Sequence, residues 1–74
     1  GESNSLTLRL RTIYAKALYE DNAATLDDLR ESVETLEDTV RIARRVMGGG
    51  HPFLGPIEHD LERSRAALRE APHS

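Results

Sequence analysis

The sequence predicts an all-α fold: three antiparallel helices in up-down-up order, a helical hairpin plus one further helix, with a long central helix touching both neighbours. Three observations carry this. From Thr25 to Met47, Leu26, Leu29, Val33, Leu36, Val40, Ala43 and Met47 recur at steps of three and four, and beside them runs a second stripe of Ser32, Thr35, Thr39, Ile42 and Val46. The periodic segments are broken only by Asp21-Asn22-Ala23-Ala24 and by Gly48 to Pro52, and a connection as short as the first returns the chain antiparallel. Strand signals are scarce: there is one Phe and no Trp, and the alternation Leu6-Thr7-Leu8-Arg9-Leu10 dissolves into Ile13, Tyr14, Ala17 and Leu18. The expected helices cover about 5–20, 25–47 and 54–70, in a single helical domain spanning 1–74.

The first helix is expected to begin near Ser3 or Ser5, either of which can cap it. Leu6, Leu10, Ile13 and Ala17, widened by Tyr14 and Leu18, form one stripe, and Leu8, Thr12, Ala15 and Tyr19 form another on a different side. A terminal helix of an isolated bundle needs one buried side. The duplication is read either as one broad buried face or as a face covered by a preceding repeat, a second copy or a partner.

The central helix has the clearest ends. The Thr25 hydroxyl is placed to cap the first turn, where Asp27 and Asp28 oppose the positive end of the helix dipole. Arg41, Arg44 and Arg45 lie near the negative end, and Gly48, Gly49 and Gly50 tolerate a left-handed stop. Arg30 with Glu34, and Glu37 with Arg41, are expected i,i+4 pairs of about 0.2–0.5 kcal/mol each. After His51-Pro52, which favours an extended or turn geometry, the third helix starts between Pro52 and Pro56, where a missing N–H is harmless. Its seam is Leu54, Ile57, Leu61, Ser64 and Leu68, and Ala71 to Ser74 are expected to fray.

Seventy-four residues bury only about 60% of the surface of the unfolded chain. Cysteine is absent, which removes disulfides and thiolate ligands and leaves packing or association to hold the fold. Thirteen acids and ten bases are mixed along the chain, for a net charge of −3, so no nucleic-acid or membrane partner is expected. There is no apolar run of about 18 residues and no hydrophobic signal segment, and the expected location is cytoplasmic.

The glycine run lies between two helices and lacks the lysine and glycine spacing of a phosphate loop. His51, His59 and His73 cannot form a ligand set on one element; Glu58, His59 and Glu62 share a helical face, read as solvated rather than as a metal site. No Ser has a fixed base beside it. No catalytic residue, metal or cofactor is assigned, and the expectation is a non-enzymatic protein.

The run Val40-Arg41-Ile42-Ala43-Arg44-Arg45-Val46-Met47-Gly48-Gly49-Gly50-His51-Pro52 resembles the second helix and following turn of the tetratricopeptide repeat variant found in kinesin light chains, which ends in an apolar pair, Gly, two residues and His-Pro. The family's small positions fall on Ser32 and Thr39, and its large ones on Leu36, Val40 and Ile42. The match covers about residues 29–52, and the chain holds about one and a half repeats. The resemblance implies a protein-interaction module, the terminal part of a repeat array, holding a protein or peptide partner on the face of helices one and three. The exposed polar candidates there are Arg9, Thr12, Lys16, His59, Glu62 and Arg63. The alternative is a structural self-association domain, a homodimer in which two copies bury Leu8, Thr12, Ala15 and Tyr19 against each other.

Overall fold

The computed structural model describes the backbone of residues 2–50 and 52–71 and the side chains from Leu6 onward in that range. The predicted turn at His51 and the tail Pro72-His73-Ser74 lie outside the described residues. Three helices pack together: α1 (Glu2–Glu20), α2 (Leu26–Met47) and α3 (Leu54–Glu70). Both outer helices pack extensively on α2 and meet each other less. The fold is all-α, as the sequence predicts.

Each boundary has a local cause. The α1 helix begins at Glu2, ahead of both Ser3 and Ser5, not at either of them. In the first connection the Asp21 carboxylate accepts from Ala23 N–H at 2.9 Å and its carbonyl from Ala24 N–H at 3.0 Å, closing a tight turn. Thr25 then caps α2 reciprocally: its hydroxyl accepts from Asp28 N–H, and the Asp28 carboxylate accepts from Thr25 N–H, both at 3.1 Å. At the far end Gly48 takes φ +84° while its N–H still reaches the Arg44 carbonyl at 3.0 Å; a side chain at this φ is strained. The α3 helix starts without a side-chain cap, and Pro56 falls in its first turn, where no intrahelical donor is lost.

The surface ion pairs differ from the expected i,i+4 set. Arg30 turns back to Asp27 at 3.4 Å and Arg41 to Asp38, because helical side chains lean toward the N-terminus. Glu37 is taken instead by Arg65 of α3 at 3.0 Å.

The core contains Leu8, Ala15 and Tyr19 from α1, Leu29, Leu36, Val40 and Ala43 from α2, and Leu54, Ile57 and Leu61 from α3. This reverses the roles of the two α1 stripes. The stripe assigned to self-association, Leu8, Thr12, Ala15 and Tyr19, faces inward, with Leu8 2% and Ala15 0% exposed; Leu6, Leu10 and Ile13 face outward. The reason lies where the helices meet. Ser32 of α2 is fully buried and donates its hydroxyl to the Ala15 carbonyl at 2.8 Å, while Ser64 of α3, also fully buried, donates to the Ser32 oxygen at 3.1 Å. A serine reaching a carbonyl on the next helix requires close approach of the two helices, and Ala15, with no side chain beyond its β-carbon, permits it on this side of α1.

Ser32→Val both overpacks this crossing and removes an acceptor from buried Ser64. It is expected to cost about 2–4 kcal/mol, whereas Leu10→Ala on the outer face stays within about 0.5 kcal/mol; thermal unfolding followed by circular dichroism separates the two.

Candidate interaction surface

At about 100° per residue, Leu6, Leu10, Ile13 and Ala17 lie on the side of α1 opposite Leu8, Ala15 and Tyr19. Leu6 is 59% exposed, Leu10 56% and Ile13 64%; Tyr14, on the edge of the stripe, is 50% exposed. Four large apolar side chains over two and a half turns of one helix form a contiguous patch, unlike the isolated exposed apolar residues of any surface. One flank carries Arg9 and Lys16. The other carries Thr7 and Tyr14, whose hydroxyl donates to the Glu31 carboxylate of α2; that bond is the first cause holding the Tyr14 phenol above its ordinary pKa.

Among the described residues no ion pair involves Arg9, Arg11 or Lys16, nor Arg45, Arg63 or Arg69 on the other two helices. On the α2–α3 side, Arg44 pairs with Glu58, and Arg65 pairs with Glu37 and Glu62. These residues border an open groove of about 590 Å³ in which three arginines face three glutamates. A groove so internally neutralised offers no net charge to an ionic ligand. Glu37, then Glu62, holds the Arg65 guanidinium above its usual pKa.

The residues predicted to bind a partner divide between α1 and α3. Arg9 and Lys16 are exposed on α1. Thr12 is half-buried, its hydroxyl committed to the Leu8 carbonyl at 2.8 Å. Of the exposed α3 residues, Glu62 is engaged by Arg65, and Arg63 stacks over the Tyr19 ring at 5.8 Å from its centroid. His59 is exposed and carries no described bond. Among the described residues, no group of three His, Asp or Glu side chains is placed to hold a metal, and no helix is long and apolar enough to cross a membrane.

Tyr19 joins the outer helices to each other. Its hydroxyl donates to the Asp60 carboxylate at 3.0 Å, and burial, followed by this bond, raises its pKa from 10.0 to about 12. Comparison of the chain with protein-family models, with curated proteins and with solved structures finds no match.

Because the folded state favours the neutral phenol, Tyr19 contributes its full stabilisation below pH 10 and loses it as the pH rises from 10.0 to about 12. Tyr19→Phe is expected to cost about 1 kcal/mol near neutrality and to flatten the fall in stability across that window. Urea unfolding at a series of alkaline pH values tests this, and an unchanged slope in the variant would assign the fall to other groups.

Proposed function

We propose that the chain is a non-enzymatic protein-interaction module of the tetratricopeptide type, the terminal part of a repeat array acting as a scaffold in the cytoplasm. Its resemblance to the kinesin light chain repeat variant and the packing of α2 between two outer helices support that reading. The observation that carries it is the second apolar face of α1, which the described residues leave uncovered. Arg9 and Lys16 border this face, and it replaces the dispersed polar set on α1 and α3 as the partner-binding surface.

Self-association is the second reading, favoured by the same face. In this form Leu6, Leu10 and Ile13 take the role assigned to Leu8, Ala15 and Tyr19, which are already buried within one chain. Both readings require the outer face to be dispensable for folding.

Leu10→Glu combined with Ile13→Glu is expected to leave helicity and thermal midpoint close to those of the parent chain, whereas Leu8→Glu, a charge in a buried site, unfolds it. Light scattering over a hundredfold concentration range then divides the readings: a mass near twice the chain, returned to one chain by the double substitution, indicates the homodimer. A monomer that loses its fold with the outer-face pair would show that the face is core and would end both readings.

A further inference from the structure

We infer that the outer face of α1 docks a single amphipathic helix of a partner protein, one whose apolar stripe is flanked by acidic side chains. The inference rests on the interaction reading above and adds the chemistry of the occupant. Leu6, Leu10, Ile13 and Ala17 follow a four-three-four spacing, the seam that one helix presents to another. Arg9 and Lys16 hold the positions just before Leu10 and Ala17, where residues on a docked helix come within reach of flanking charges. Neither base has an acidic partner among the described residues.

A second copy of the chain supplies that charge poorly. Paired antiparallel with the stripes in register, two α1 helices set Arg9 of each against Lys16 of the other, like charge facing like charge. Paired parallel, Arg9 meets Tyr14, whose hydroxyl is committed to Glu31, and Lys16 alone gains an acid, Asp21 in the turn beyond α1, so one base of the two stays unmatched. The patch is also small. Four side chains, each 50–64% exposed, offer about 400–500 Å², roughly half of the ~800 Å² per partner of a stable interface. A lone helix needs no more than such a stripe, and binds weakly and reversibly. An anionic membrane is the poorer fit, since α1 carries three bases in a chain of net charge −3 and the patch contains no Trp or Phe.

Two helical peptides of about five turns test this, each with leucines at three- and four-residue spacing, one flanked by Glu and the other by Lys. Titrated by fluorescence anisotropy, the Glu-flanked peptide is expected to bind about tenfold more tightly, with the preference shrinking as salt rises. Arg9→Glu combined with Lys16→Glu, both at exposed positions, is expected to invert it. Equal binding of the two peptides overturns the acidic-helix inference and leaves the interaction reading standing, whereas a bare chain that forms dimers lost in Leu10→Glu with Ile13→Glu overturns both in favour of self-association. A monomer that binds neither peptide overturns both, and one that binds only phosphatidylserine vesicles reassigns the face to a lipid surface and overturns both.

Discussion

The three helices are held in register by a short chain of hydroxyls: Ser64 donates to Ser32, and Ser32 donates to the carbonyl of Ala15. All three residues are fully buried, so none of these polar groups can return to water without opening the bundle. Their net energy is modest, about 1 kcal/mol per bond, but leaving any member unpaired costs more than the bond contributes. The geometric consequence is larger than the energetic one. Small residues at one point on each helix set how closely the helices approach and therefore which side of each helix faces inward.

For α1 that constraint decides between two apolar sides. Placing Ala15 against Ser32 carries Leu8 and Tyr19 inward with it, two turns and one turn away respectively on the same side, and Tyr19 then reaches Asp60 on α3. The opposite side is turned out by the same rotation. A helix with one apolar side would give a closed bundle; this helix, having two, gives a bundle with one face unsatisfied. The link from packing to function runs through that rotation, and the exposed bases Arg9 and Lys16 along the stripe, in no ion pair among the described residues, set the chemistry of what can cover it.

Much of the fold was legible because its signals are local. Thr25 with the acids after it, the arginines before Gly48 and the two stripes between them define α2 to within a residue of the observed bounds, and the α3 seam Leu54, Ile57, Leu61 and Ser64 is buried as its spacing predicts. The orientation of α1 was not legible in the same way, since both its stripes have helical period and the one left outside is the more apolar. What decides it is non-local: Ser32 on α2 meets the Ala15 carbonyl and Tyr19 reaches Asp60 on α3, contacts that the spacing along α1 cannot reveal. The ion pairs were misassigned for a related reason, because Glu37 is drawn to Arg65 on another helix, a neighbour that spacing along α2 cannot reveal. For the candidate site, the polar residues that the sequence marks are exposed except Thr12, which is half-buried and bonded to the Leu8 carbonyl, while the apolar side chains Leu6, Leu10 and Ile13, which give the surface its character, carry no signal in sequence that separates them from a core stripe.

The orientation of α1 can be measured directly, because the chain has no cysteine of its own. Single substitutions Ala15→Cys and Ile13→Cys place one thiol on each side of the helix, and the rate of reaction with a soluble disulfide reagent reports the exposure of each. A thiol at position 13 that reacts as fast as a free one, with the thiol at position 15 slowed by about a hundredfold or more, as expected of a group reached only by opening of the fold, is the result the structure predicts. Fast reaction at 15 with protection at 13 would mean that α1 packs by its other side, and the surface proposed for the partner would be the core.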